Sequence, residues 1–160
     1  MDKLLKLLSE NANLTTNELA LLLDEPEDYI SSQINEYENS GVIMGYRATI
    51  NREKVADAGT TAIIELKVTP KRDSGFDEIA ARVMSFEEVD TVYLMAGSFD
   101  LLVIVRGETV QQVAMFVAQK LSTLESVLAT NTHFLLKTYK ESGSSFYEDD
   151  SLGDKRSLIV

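Results

Sequence analysis

Leu4, Leu5, Leu7 and Leu8 fall at helical spacing over residues 2–9, and Asn11-Ala12-Asn13 interrupts them, which predicts a short amphipathic helix. Thr15 and Glu18 have the spacing of a capping box and precede Leu19, Leu22 and Leu23, so a second helix is expected to start there. Asp24-Glu25-Pro26 then supplies a turn, with a proline suited to a first helical position. Ile30, Ile34 and Tyr37 follow at i, i+4, i+7 until Ser40-Gly41 ends a third helix. From Val42 to Ile50 the chain turns β-branched and aromatic around Gly45, the composition of a β-wing or connecting strand.

After a short polar stretch the periodicity changes. Residues 61–69, 89–96, 99–106 and 127–137 read as strands, and 76–84 and 110–122 as helices. The order β-α-β-β-α-β is that of the ferredoxin-like split βαβ unit. Gly97-Ser98 reads as a two-residue link closing a hairpin between the central strands. Leu101-Leu102-Val103-Ile104-Val105 is apolar on both faces and Ala62-Ile63-Ile64 nearly so, whereas a sheet with one wet face alternates. Two helices cover only one face in this topology. The other is expected to bury against a second subunit, making the protein at least an obligate dimer. The expected division is therefore a helical domain at 1–50, a linker at 51–60, an α+β domain at 61–140 and a polar, acidic, disordered tail at 141–160.

Composition excludes several function classes. No stretch approaches the roughly 18–20 apolar residues of a membrane span, and the N-terminus lacks the pattern of a signal peptide, so a cytoplasmic protein without membrane partners is expected. Cysteine is absent and His133 is the single histidine, which rules out disulfides, thiolate metal sites and structural zinc and leaves no metal or cofactor to expect. No nucleophile motif or phosphate loop appears, so an enzyme is not expected either. The net charge of −11 works against phosphate binding, and residues 1–60 concentrate it, with 5 basic and 11 acidic side chains.

Three helices, then Ser40-Gly41-Val42-Ile43-Met44-Gly45-Tyr46, then a βαββαβ domain with Gly97-Ser98-Phe99-Asp100 between its central strands: this order resembles the Lrp/AsnC (leucine-responsive regulator type) family over about residues 1–140. The resemblance implies an N-terminal winged helix-turn-helix DNA-binding domain followed by a ferredoxin-like, ACT-like domain for effector binding and oligomerisation. It further implies a homodimer assembling to tetramers or octamers, with an amino acid or related effector bound between subunits.

On that basis the third helix enters the major groove. With Ile30, Ile34 and Tyr37 facing the core, Asp28, Ser32 and Asn35 lie opposite, flanked by Ser31 and Glu36. Asn35 suits adenine, Ser31 and Ser32 suit bases or phosphates, and Asp28 suits a cytosine amino group. The family commonly carries basic residues around the positions of Gln33, Asn35 and Glu36, yet no Lys or Arg lies between Leu7 and Tyr46. Positive anchors must come from Lys3, Lys6, Arg47, Arg52 or Lys54, or from amides at the helix start near Thr15 and Thr16. DNA affinity per subunit is expected to be low and to be recovered through the oligomer.

For the effector, Gly97 and Ser98 offer turn amides to a carboxylate and Asp100 an acceptor for an α-amino group; the same residues also suit a plain hairpin cap. The resemblance adds Met95, Ala96, Thr130 and Thr132, the two threonines sharing one strand face. The function expected is an effector-responsive, DNA-binding transcription regulator of amino-acid or related metabolism. Two alternatives stand beside it: a sensor that oligomerises with little or no DNA binding, and an Lrp-like sirohaem decarboxylase, which needs a histidine acid and cations for the tetrapyrrole carboxylates.

Overall fold

In a computed structural model, residues 2–73 and 75–147 are described, and they form two compact units, 2–50 with 139–147, and 51–138. Among them no helix is long and apolar enough to cross a membrane.

The first unit contains α1 (Lys3–Glu10), α2 (Thr16–Leu23) and α3 (Glu27–Asn39). Leu4 and Leu8 of α1, Leu19 of α2 and Ile30 of α3 form its buried centre, with Leu7, Leu14, Ile34, Tyr37 and Ile43 packed around them. These are the apolar positions of three short helical periods, so burial of one stripe per helix holds the unit together. The capping box is present: Thr15 Oγ1 accepts from the Glu18 amide, and the Thr15 amide donates to Glu18 Oε2 at 2.8 Å. Pro26 stands one position earlier than expected, as the N-cap of α3. Gly41, at φ 73, ends α3 in the left-handed conformation that favours glycine.

Residues 42–50 form no strand, so the β-wing expected there is absent. β-branched composition favours an extended backbone, but a strand also needs a pairing partner, and none of the described residues supplies one. Tyr46 instead donates from its hydroxyl to Glu38 on α3 at 2.9 Å.

The Tyr37 hydroxyl donates to Asp2 Oδ2 at 2.6 Å, linking α3 to the start of α1. That bond holds the Asp2 carboxyl below its ordinary value and pushes the Tyr37 phenol up to about 12. The lowered carboxyl adds stability above its ordinary value that is lost as pH falls through it. The raised phenol adds stability below pH 10 that is lost on the way to 12. Urea melts of this unit across pH are expected to weaken at both ends, and Tyr37→Phe to flatten both limbs.

The second unit carries the sheet: β1 (Thr60–Val68), β2 (Val89–Leu94), β3 (Leu101–Gly107) and β4 (Val127–Phe134), antiparallel in the order β2-β3-β1-β4. Helices α4 (Asp77–Met84) and α5 (Val110–Phe116), the latter continued by a π-helical turn at Val117–Leu121, complete the βαββαβ order. Alternate strand residues Ala62, Ile64, Leu66, Val68, Leu101, Val103 and Val105 pack with Ile79, Val83, Val113, Phe116 and Leu121 of the helices into one core. Phe86 meets Phe116 edge-on at 5.5 Å.

The alternate positions differ. Ile63 and Glu65 on β1, and Leu102 and Ile104 on β3, are half-buried, and no helix of the unit covers them. Two ion pairs, Lys67–Asp100 and Arg106–Asp90, and a contact between His133 Nε2 and Glu65 Oε1 accompany this strip, each at 3.3 Å.

Residues 51–60, read as a linker, are grouped with the second unit. Asn51 caps a 3-10 turn at Arg52–Lys54, Arg52 donates to the Ala58 carbonyl, and Gly59 lies against the Gly107 backbone. The tail expected to be disordered from residue 141 is ordered as far as Tyr147. β5 (Lys140–Glu141) pairs with β6 (Ser144–Ser145) through Ser142 and Gly143, both at positive φ, the backbone of a type I′ turn. Tyr139 and Tyr147 lie 6.1 Å apart across its base. Residues 148–160 of that expected tail lie outside the described residues.

Candidate functional site

The turn between α2 and α3 is tight because Asp24 takes the left-handed conformation, at φ 56, and the Glu25 amide bonds the Ala20 carbonyl. Aspartate tolerates that geometry better than most residues. Ile30 is fully buried and Ile34 and Tyr37 half-buried, so α3 is pinned by one stripe and its opposite face is free. Asp28, Ser32 and Asn35 are exposed on that face. Asn39 continues the same i, i+4, i+7, i+11 row and is also exposed. The sequence reading missed it, although the spacing from Asn35 was the signal that would have found it.

The other expected DNA contacts stand differently. Ser31 is half-buried on the flank of α3, and Gln33 is half-buried with its amide donating to Glu36 at 3.3 Å. Thr16 is half-buried and donates to Glu27 Oε1 at 2.9 Å, while the Thr15 amide and hydroxyl both donate to Glu18. Carboxylates from this chain therefore already occupy the Thr15 amide and both threonine hydroxyls at this helix start. The two bonds from Thr15 hold the Glu18 carboxyl below its ordinary value. Arg47 is exposed.

The β2–β3 connection is a six-residue loop, Met95 to Asp100, rather than the two-residue link expected at Gly97-Ser98. Its base is closed by the Met95 amide donating to the Asp100 carbonyl at 2.8 Å. The strands stop early because Asp100 is drawn sideways onto β1. Its amide donates to the Leu66 carbonyl at 2.9 Å, Oδ2 accepts from the Val68 amide at 2.9 Å, and Oδ1 pairs with Lys67. The Val68 amide, with Lys67 behind it, holds the Asp100 carboxyl below its ordinary value. Asp100 thus fixes the loop's base with both oxygens already engaged.

Met95, Ala96, Gly97 and Ser98 are exposed. A side chain at Gly97 would meet no atom within 4 Å, and its φ is not among the positive ones, so neither space nor backbone in this chain demands glycine there. Thr130 and Thr132 pair with Leu66 and Ile64, whose side chains are buried in the core, and so point to the helix side. Thr130 lies 3.4 Å from Ser122. β1 separates them from the β2–β3 loop, and the structure does not bring the two parts of the expected effector set together.

An open groove of about 560 Å³ lies elsewhere, between α4 and the loops flanking β1 and β4, lined by Thr69, Glu78, Arg82 and Ser126 among others. It includes the Lys71–Glu78 ion pair and none of the expected effector residues. No group of three or more His, Asp or Glu among the described residues could hold a metal ion.

Comparison with known proteins places this architecture. The family model described as the Lrp/AsnC ligand binding domain matches residues 61–145. The uncharacterized HTH-type transcriptional regulator YugG of Bacillus subtilis (strain 168) is 44% identical over 158 residues, 98% of this chain and 94% of that one. The feast or famine regulatory protein from M. tuberculosis, solved in complex with L-methionine, is 27% identical and superposes with a TM-score of 0.68, covering 91% of each chain. A transcriptional regulator from Neisseria meningitidis, also an L-methionine complex, shares the fold at 24% identity, with a TM-score of 0.71 over 95% of this chain and 99% of that one. These relatives are regulators, not enzymes. With a family model over more than half its length and a 44%-identical relative along nearly all of it, the chain belongs to the Lrp/AsnC family of transcription regulators.

Proposed function

We propose that the chain is a DNA-binding transcription regulator of amino-acid or related metabolism, acting in the cytoplasm as an oligomer whose DNA affinity responds to a small effector. In this reading α2 and α3 form a helix-turn-helix to which this chain adds no β-wing of its own, and α3 enters the major groove. The observation that carries it is the polar, uncovered face of α3 opposite Ile30 and Ile34, an element pinned along one side and free along the other. The test is gel-shift titration on the region upstream of its own gene, at low and physiological salt. Retardation is expected at low salt; none at micromolar protein overturns the reading.

The effector is an amino acid or a close relative, a class suggested by the L-methionine bound in the two related structures. We place it at the exposed Met95–Ser98 segment, where Gly97 and Ser98 offer amides to a carboxylate and Gly97 leaves room for close approach. Asp100 acts by holding this loop onto β1. Thr130 and Thr132 lie on the helix side of β4, across β1 from that segment within one chain. The uncovered strip of Ile63, Leu102 and Ile104 is the subunit contact. Asp100→Ala leaves the Val68 amide without its carboxylate partner and is expected to lower the melting temperature. It is also expected to shrink the thermal shift caused by a bound amino acid; a full shift in the variant counts against this placement.

The acidity of the first unit favours one other reading, a sensor that assembles with other regulators without touching DNA. The bonds that tie Thr15 and Thr16 to Glu18 and Glu27 support it. The same titration separates the two.

A further inference from the structure

We propose that α3 selects its DNA site through the amino-group donors of adenine and cytosine and makes no bidentate guanine contact. The inference rests on the DNA-binding reading above and deepens it by naming the base chemistry that the helix recognises.

The face of α3 opposite its buried stripe is a single row, Asp28, Ser32, Asn35 and Asn39, all exposed. At 1.5 Å per residue the row runs about 16 Å, the length of about five stacked base pairs. Its members are short, so the helix backbone can approach the groove floor closely. Each carries an acceptor oxygen and none carries a cation. The flanks add none: Glu36 and Tyr29 are exposed on one side, Glu27 and Glu38 on the other, and the nearest basic residues in the chain are Lys6 and Arg47.

Guanine presents two acceptors to the major groove, N7 and O6, which the guanidinium fork of Arg or the ammonium of Lys satisfies. This row has neither, and a carboxylate beside guanine places acceptor against acceptor. Adenine presents a donor beside an acceptor, the pattern an asparagine amide matches with two bonds. Asn35 and Asn39, four apart on one helix face, are neighbours and suit neighbouring adenines. Cytosine presents the N4 amino donor, which Asp28 accepts. Gln33 lies off this row, half-buried, with its amide donating to Glu36.

The test uses the full chain and a randomised duplex pool, with selection at low salt. In the recovered site, replacing contacted adenines by unsubstituted purine removes the N6 amino donor, and 7-deazaguanine removes the N7 acceptor of guanine. The expected result is a loss of about tenfold or more for adenine, a change of less than about twofold for guanine, and a weakened adenine effect in Asn35→Ala. Exposed Asn→Ala changes raise helix propensity, so loss of selectivity in that variant does not reflect an unfolded helix. Guanine replacements that cost as much as adenine ones, or a selected sequence unchanged in Asn35→Ala and Asn39→Ala, overturn the proposal while DNA binding itself stands. Failure to retard any duplex at low salt removes the DNA-binding reading and this one with it.

Discussion

Leu19→Ala is expected to unfold the helical unit and abolish DNA retardation while leaving the unfolding transition of the α+β unit in place. Leu19 is 0% exposed and is one of four buried side chains in that core among the described residues, with Leu4, Leu8 and Ile30. A buried Leu→Ala change costs about 2–5 kcal/mol. At roughly 0.05–0.15 kcal/mol per residue, a unit of about fifty residues has only a few kcal/mol in all. The loss is therefore comparable with the whole. Calorimetry resolves the outcome, since one transition should disappear or fall steeply and the other stay; two unchanged transitions with full retardation would contradict this account of the core.

Gly59→Ala is expected to be the most damaging glycine change in the α+β unit. Gly59 sits at φ 70, where an L side chain is strained, and an added Cβ would stand 2.5 Å from the carbonyl oxygen of Gly107. That oxygen is backbone at the end of β3, so relief requires moving a strand end rather than turning a flexible side chain. Together the strain and the displacement are worth at least about 2 kcal/mol, a fall of roughly 10 °C in the melting temperature of a unit this size. Gly97→Ala is the matched control, with no atom within 4 Å, and should melt with the parent protein. Equal melting of the Gly59 variant would show that the approach of Gly59 to Gly107 is not close in solution.

Local signals were legible and nonlocal ones were not. Thr15 and Glu18 are three residues apart, and the bonds between them depend on nothing else in the chain. The helical stripes of α1 to α3 and the βαββαβ order were visible for the same reason, as was the row of Asp28, Ser32 and Asn35. The length of the β2–β3 loop was hidden because it is set by bonds from Asp100 to Leu66 and Val68 on another strand. Thr130 and Thr132 share a face by their own spacing, but which face depends on their register with Leu66 and Ile64. Residues 42–50 have strand composition but no strand to pair with among the described residues, and composition does not reveal partners. The 140–145 hairpin was missed because its strands are two residues long and polar, so Ser142-Gly143 looked like loop.

The carboxylates of Glu18 and Glu27 engage the Thr15 amide and both threonine hydroxyls at the start of α2. A protein that neutralises few phosphates releases few counterions when it binds, so its affinity falls only shallowly as salt rises. If α3 reads DNA as proposed, operator occupancy is expected to follow the effector and the state of assembly more than the ionic strength.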